Sequence, residues 1–149
     1  MGVYMKITIL DCADGEEEEV IVRCRQLDES LLKLLYTLKA GKDKITVSKD
    51  EKIYQLPLSQ VYYFEAVDGR VFAYVEKNVY DTKFRLYELE ERLRQTDFFR
   101  ASKSTIINLS KVRNIGPDFN GRFEVYMKNG EQLIVSRQYV PELKKKLGL

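Results

Sequence analysis

Hydrophobic and polar residues alternate in short runs through the middle and the end of the chain, as they do in half-buried β-strands. The pattern predicts three hairpins, formed by residues 44–47 with 52–56, 61–66 with 71–75, and 122–127 with 132–135. Asp68-Gly69 and Asn129-Gly130 separate the strands of the second and third pairs, and both dipeptides favour the positive φ angles of tight turns. We therefore expect a mainly β fold of antiparallel hairpins, without parallel β-α-β crossovers.

Three further segments have the three-to-four-residue spacing of an amphipathic helix. The first, residues 27–38, carries a leucine stripe composed of Leu31, Leu34, Leu35 and Leu38. The second, residues 84–94, places three leucines on one face. The third runs from about residue 138 to 147, with Ser136 as its expected N-cap and Gly148 just beyond its end.

The first forty residues differ from the rest and form a leader, residues 1–41, ahead of a main domain, residues 42–149. Residues 6–10 and 20–24 are predicted strands, so that the leader is expected to be a small β-β-α unit. The acidic run Glu16–Glu19 lies between the two strands. It could bind a metal ion, but four adjacent carboxylates point in different directions, which favours a solvated loop instead.

The composition excludes several kinds of chemistry. The chain has no histidine, which removes Ser-His-Asp and Cys-His nucleophile pairs and imidazole-dependent zinc sites. Cys12 and Cys24 are too few for a four-thiolate zinc site and do not form a C-x-x-C motif. There is no Gly-rich phosphate loop, no signal peptide and no apolar run long enough to span a membrane. We expect a cytoplasmic protein that is not an enzyme, with no metal and no cofactor.

Charge is distributed unevenly along the chain. Residues 97–149 hold ten basic and five acidic side chains, a net charge of +5, whereas residues 1–40 have a net charge of −3 and residues 41–96 of zero. A basic C-terminal third on a nearly neutral chain points to a polyanionic partner. A lysine-rich solvated surface is the alternative, and the charge alone does not decide between the two.

Two motifs at a characteristic distance favour a polyanionic partner over a merely solvated basic surface. FFRASKSTIIN occupies residues 98–108, and VSR occupies residues 135–137 after a hairpin with an Asn-Gly turn. From about residue 42 to 147, the order of these motifs resembles the LytTR family of bacterial DNA-binding domains. The resemblance implies short β-sheets with small helices, and a transcriptional regulator that reads two successive major grooves and the intervening minor groove through loops and strand ends. A β-rich protein-interaction module without DNA binding is the alternative function.

The resemblance also implies which residues contact DNA. The expected contacts lie in three loops, with Ser102, Lys103 and Ser104 in the first, Arg137 in the second, and Arg70 and Val71 in the third. Arginine can pair bidentately with guanine, so Arg137 is the expected base reader, while Lys103 suits phosphate oxygens. Ser102 stands where the family frequently has a histidine. Arg100 is placed by the resemblance as a structural residue near the interior, and Asn108 is expected to cap or turn the chain.

The leader and the assembly are interpreted through the same resemblance. A receiver domain needs about 120 residues, more than the forty or so that precede the LytTR-like part, and the leader is similar to that of compact stand-alone LytTR regulators. It is therefore expected to be a regulatory or dimerisation element. The implied partners are double-stranded DNA with repeated half-sites, a second copy in a homodimer, and a small membrane protein as a regulator. The leucine stripe either packs on the main domain or forms the subunit interface.

Overall fold

The structure, a computed structural model, describes residues 5–36 and 44–149. Its strands are β1 Lys44–Lys49, β2 Lys52–Pro57, β3 Tyr63–Val67, β4 Arg70–Tyr74, β5 Val79–Thr82, β6 Phe98–Arg100, β7 Thr105–Asn108, β8 Val112–Pro117, β9 Phe123–Met127 and β10 Gln132–Val135. Its α-helices are α1 Glu29–Tyr36, α2 Leu86–Arg92 and α3 Val140–Leu147. Short 3-10 turns connect several of these elements, and the one at Arg137–Tyr139 leads directly into α3.

The strands form two antiparallel sheets. The larger sheet has seven strands in the order β2-β1-β5-β4-β3-β7-β6, and the smaller has three in the order β10-β9-β8. In the larger sheet, β3 lies between β4 and β7, so that Phe64 is opposite Ala73 on one side and Ile106 on the other. The turn after β7 carries the chain from the larger sheet to the smaller one.

Two apolar cores stabilise this arrangement. The first lies under α2, whose buried Leu86 and Leu89 pack with Phe64 and other strand residues. The second joins the two sheets, because Ile107 from the larger sheet and Val125 from the smaller one belong to the same buried cluster as Leu143 of α3. Burying a side chain of this size contributes about 1.5–3 kcal/mol. The smaller sheet and α3 are therefore held against the end of the larger sheet.

The mainly β fold and the three predicted hairpins are confirmed. β1 pairs with β2, β3 with β4 and β9 with β10, each in antiparallel register. The left-handed conformations of Asp68 and Gly69, with φ angles of 51° and 77°, confirm the tight turn between β3 and β4. Four strands were not predicted from the alternation, namely β5, β6, β7 and β8. β7 has all four of its residues buried, and a strand buried on both faces does not alternate.

The prediction that Ser136 caps the last helix is wrong. α3 begins at Val140, after the 3-10 turn, and Ser136 makes no capping hydrogen bond. Its hydroxyl donates instead to the carbonyl oxygen of Ala101 at 3.3 Å, a contact with a residue 35 positions earlier. The end of the helix is as expected, since Gly148 has the left-handed conformation of a helix C-cap, with a φ of 75°.

The leader is only partly as expected. α1 matches the predicted helix, although Leu38 of the leucine stripe lies outside the described residues. The two predicted strands are absent from the described part of the leader, where residues 5–28 form neither strand nor helix and contain only short turns and bends. The physical reason is that an isolated two-stranded hairpin is marginal without a sheet or a helix to cover it. Ile7 and Ile9, for example, are 81% and 88% exposed.

Within the described residues, neither buried core includes any part of the leader. Leu34 of the leucine stripe is exposed, and Leu31 and Leu35 are only partly buried. The acidic run Glu16–Glu19 is exposed, and no group of carboxylates or thiols in the described ranges could hold a metal ion. None of the helices in those ranges is long and apolar enough to cross a membrane.

Candidate nucleic-acid interface

Backbone hydrogen bonds bring the three predicted contact loops together. The central loop, residues 101–104, connects β6 to β7. Its Ser104 carbonyl oxygen accepts a hydrogen bond from the Ala66 N–H of β3 at 2.8 Å, and its Ala101 carbonyl oxygen accepts one from the Ser136 N–H at 2.9 Å. Ala66 leads into the β3–β4 turn beside Arg70, and Ser136 precedes Arg137. The two outer loops are thus attached to opposite ends of the central loop.

The central loop has a defined local geometry. The N–H groups of Ala101 and Ser102 both donate to the carbonyl oxygen of Thr105, at 2.9 and 3.3 Å, which closes the chain into a tight turn. The Ser104 N–H donates to the Ser102 hydroxyl at 3.2 Å. Ala101 is fully buried and Thr105 nearly so, whereas Lys103 and Ser104 are exposed. The loop therefore has a buried base at each end and presents its middle residues to solvent.

Lys103 is the exposed cation of this loop. Within the described ranges it has no carboxylate within 4 Å, so its charge is available to an outside anion. Ser102 is half-buried, and its hydroxyl lies 3.4 Å from that of Ser104. A lysine whose neighbours in the loop are two serines is a combination of donors that suits phosphate oxygens. The three residues predicted in this loop are close neighbours in the fold as well as in the sequence.

Arg100 lies behind the loop. Its Nε–H donates to the carbonyl oxygen of Ser102 at 2.7 Å, and an Nη2–H donates to that of Lys103 at 2.7 Å. Its Nη1 atom pairs with the carboxylate of Glu90 on α2 at 2.5 Å. The Arg100 side chain is only 18% exposed. The expectation that Arg100 has a structural place near the interior is therefore confirmed by its contacts.

Arg137 is exposed at the start of the 3-10 turn that leads into α3. It has no acidic partner within the described ranges, which leaves its guanidinium free to pair with another group. Its aliphatic stem lies on Gly121, in the turn between β8 and β9. The sequence interpretation overlooked this turn, although Asn120-Gly121 is the type of dipeptide that marks a left-handed turn, and the φ angles are 59° and 76°.

The β3–β4 loop is less suited to DNA than expected. Arg70 donates from Nη2 to both carboxylate oxygens of Asp81 at 2.7 Å, and its guanidinium also lies 5.2 Å from the centre of the Phe72 ring. Much of its charge is therefore neutralised within the protein, although the side chain is 64% exposed. Val71, the other contact predicted in this loop, has its side chain turned away from solvent. It is 7% exposed and belongs to the first core, because neighbouring residues of a strand point to opposite faces.

Asn108, at the end of the first motif, is a structural residue as expected. Its side-chain amide donates to the carbonyl oxygen of Val61 at 2.8 Å, and its carbonyl oxygen accepts hydrogen bonds from the N–H and hydroxyl of Ser110. The side chain is 2% exposed. A buried amide that is satisfied on both its nitrogen and its oxygen holds the chain reversal after β7. It has no surface to offer to a nucleic acid.

A stacked tyrosine pair lies at the end of the β3–β4 hairpin opposite the turn, where Tyr63 faces Tyr74. The rings of Tyr63 and Tyr74 are 4.3 Å apart and nearly parallel. Burial, together with the neighbouring carboxylate of Glu131, raises the pKa of Tyr63 far above its ordinary value of 10. Burial and nearby carboxylates also raise the pKa of Tyr74. Both phenols are therefore neutral at physiological pH and add no negative charge to this part of the fold.

Comparison with known protein families gives one match. The model of the LytTr DNA-binding domain matches residues 51–148, which include the central loop, Arg137 and the β8–β9 turn. A solved structure of the LytTr DNA-binding domain of a putative methyl-accepting/DNA response regulator from Bacillus cereus is also similar. It has a TM-score of 0.69 and 32% sequence identity, and the match covers 73% of this chain and all of that domain.

Curated relatives match over most of the same region. The sensory transduction protein LytT of Enterococcus faecalis is 32% identical over 107 residues, which are 72% of this chain and 44% of that protein. The transcriptional regulatory protein YpdB of Escherichia coli K12 is 32% identical over 114 residues, which are 76% of this chain and 47% of that protein. The chain thus spans about half the length of these relatives.

Proposed function

Because the chain belongs to the LytTr DNA-binding domain family, we propose that it is a transcriptional regulator that binds double-stranded DNA in a sequence-specific manner. The observation that carries this proposal is the pairing of two free cations on joined loops. Lys103 and Arg137 have no acidic partner among the described residues, and the hydrogen bond from Ser136 to Ala101 ties their loops together. The alternative of a protein-interaction module does not explain this arrangement.

The two cations suit different parts of the duplex. The guanidinium of Arg137 offers two parallel donors to the O6 and N7 atoms of guanine in the major groove. The ammonium group of Lys103, on a loop that also carries the hydroxyls of Ser102 and Ser104, suits phosphate oxygens and would fix the register of the protein on DNA. We assign Arg70 a lesser role, since Asp81 competes with DNA for its guanidinium. The function requires no catalysis, metal or cofactor.

We also propose that the protein acts as a homodimer on repeated half-sites. A single reader of this size covers little more than one half-site, so adequate specificity requires two copies about one helical turn apart. Support comes from the leader, whose described apolar side chains lie outside both buried cores and whose acidic charge makes it a poor DNA contact. A second copy is the partner that would cover them.

The remaining proposals concern the setting of the protein. The named relatives are bacterial, which supports a bacterial regulator that works in the cytoplasm, where its DNA is located. The resemblance of the leader to that of compact regulators supports a small membrane protein as a modulating partner. Co-purification of the full chain with a membrane fraction, lost on removal of residues 1–41, would test this partner.

Selection of bound sequences from a random DNA pool tests the proposed function. The full chain is expected to enrich a motif that occurs twice, about one helical turn apart. Its affinity for a duplex with that motif should fall steeply with salt concentration, because phosphate contacts release counterions. A selection that enriches no motif, or binding without salt dependence, would contradict the proposal.

A further inference from the structure

The contact between Arg100 and the central loop is unusual in its direction. The guanidinium does not point outward to solvent, but donates to the carbonyl oxygens of Ser102 and Lys103 from the inner side of the loop. In a planar trans peptide the carbonyl and the N–H point in opposite directions, so two carbonyls held from the inner side fix the orientation of both peptide planes around Lys103. The outward presentation of Lys103 therefore depends on Arg100.

The position of Arg100 depends in turn on α2. Glu90, on the exposed side of this helix, pairs with the third side of the guanidinium. α2 itself is fixed by the burial of Leu86 and Leu89 in the first core. The chain of contacts runs from a rigid helix through Glu90 and Arg100 to the loop. Only a planar guanidinium offers donors in three fixed directions, which lysine cannot reproduce.

We propose that Arg100 and Glu90 form a positioning pair for sequence reading. Arg100 does not touch DNA; it holds the central loop in the one geometry that brings Lys103 and the linked Arg137 into register with the duplex. Glu90, on a helix that carries no predicted DNA contact, thereby controls base discrimination. This inference rests on the proposed function and deepens it. Contact groups need support to within about 0.5 Å, which a loop of four residues cannot supply alone.

The rival role for Arg100 is a direct phosphate contact, and the two roles predict opposite effects for one substitution. If Arg100 contacted phosphate, Glu90→Gln would release its guanidinium from the carboxylate and strengthen binding to every DNA sequence. If Arg100 is a positioning residue, the same substitution loosens the guanidinium and weakens binding to the correct sequence alone. Arg100→Lys separates the roles in a second way, because it keeps the charge but loses the fixed fork of donors.

The experiment uses the full chain with a labelled duplex that carries the motif selected from the random pool, and a scrambled duplex of the same length. Arg100→Lys and Glu90→Gln are each expected to lower affinity for the selected duplex by about tenfold, the cost of one misplaced base contact. Affinity for the scrambled duplex should change by less than about twofold, with an unaltered salt slope, because a displaced Lys103 keeps its charge beside the phosphates whereas Arg137 reads a base only in a fixed geometry. Glu91→Gln is the matched control, since Glu91 is a neighbour on α2 that pairs with Arg94 instead.

Thermal unfolding of each variant provides the check on folding. If Arg100→Lys does not fold, Glu90→Gln still tests the inference, because Glu90 is 45% exposed. Two results for Glu90→Gln would overturn the positioning role: discrimination between the duplexes equal to that of the unaltered chain, or tighter binding to both duplexes. Either result would leave the proposed function intact. Failure of the unaltered chain to prefer any sequence would instead contradict the proposed function itself.

Discussion

Gly121 lies so close to the side chain of Arg137 that a Cβ atom at residue 121 would stand 3.1 Å from Arg137 Cδ and 3.2 Å from its Cγ. The glycine also has a φ of 76°, a left-handed conformation that side chains with a Cβ rarely adopt. The β8–β9 turn therefore forms a surface on which the stem of Arg137 rests. This relationship connects a turn without any predicted DNA contact to the proposed base reader.

Gly121→Ala is expected to weaken sequence-specific binding several-fold, because the added methyl group pushes against the stem of Arg137. It should also cost about 1 kcal/mol or more in stability from backbone strain. Gly130→Ala is the matched control, since Gly130 has a φ of 90° but nothing within 4 Å of its Cβ position. Equal losses of DNA affinity in both variants would show that strain alone, and not the contact with Arg137, is responsible.

Arg137→Ala is expected to cost about 1–3 kcal/mol of binding free energy at the selected site, because a bidentate contact with a base edge is lost. Discrimination should flatten at one base position, measured by competition among single-base variants of the duplex. Lys52→Ala serves as the control, since Lys52 is an exposed cation on the far edge strand of the larger sheet. Equal losses on selected and scrambled duplexes would mean that Arg137 only neutralises phosphate.

Lys103→Ala is expected to weaken binding to all sequences alike and to reduce the salt slope by about one unit, as the loss of one phosphate contact does. Arg70→Ala should have a smaller effect, because the carboxylate of Asp81 already neutralises Arg70. Conversely, Asp81→Asn removes that carboxylate charge, so the Arg70 guanidinium becomes available to phosphate and binding to any duplex should tighten. Titrations over a range of salt concentrations measure all three, and an unchanged slope in Lys103→Ala would place the DNA-binding surface elsewhere.

Removal of residues 1–41 is expected to leave a folded domain, since no described residue of the leader belongs to either core. The shortened chain should still bind one half-site weakly, but should lose cooperativity between two, because the proposed subunit contact is gone. Sedimentation and mobility-shift titration measure the two effects. Cooperative binding to two half-sites, equal to that of the intact chain, would refute the role given to the leader.

The raised pKa of Tyr63 predicts that the folded protein loses stability at alkaline pH. Burial raises its pKa in the folded protein above the value of 10 that it has when unfolded. Below pH 10 both states keep the proton and the full stability is present. As the pH rises from 10 towards the folded pKa, only the unfolded state loses the proton, and stability falls by up to about 1.4 kcal/mol per pH unit for this group.

Tyr63→Phe should therefore make the free energy of unfolding less dependent on pH above 10 than it is in the unaltered chain. Denaturant unfolding at a series of alkaline pH values measures this dependence. Tyr87→Phe is the control, because Tyr87 is 66% exposed. An equal pH dependence in the unaltered chain and in Tyr63→Phe would show that other groups govern the alkaline transition.

The sequence alone was sufficient to predict the three hairpins and their turns, and to identify the family from its motifs. Alternation, Asp68-Gly69 and Asn129-Gly130 are properties of a few neighbouring residues, so they predict β3 with β4 and β9 with β10 without knowledge of the rest of the chain. The order of the motifs identified the family and the position of Lys103 in it. β5, β6, β7 and β8 escaped prediction, because they are short or lack a regular alternation of apolar and polar residues, and all four residues of β7 are buried.

Tertiary structure decided which predicted side chains are available to DNA. The register of β4 against β5 places Arg70 beside Asp81, 11 residues away, and directs Val71 into the core. Gly121 meets Arg137 only because β10 pairs antiparallel with β9, which places the end of β10 next to the β8–β9 turn. Glu90 reaches Arg100 only because α2 packs beside β6. Local patterns encode backbone conformation, whereas burial and charge pairing between distant residues arise only when the sheets and helices are assembled.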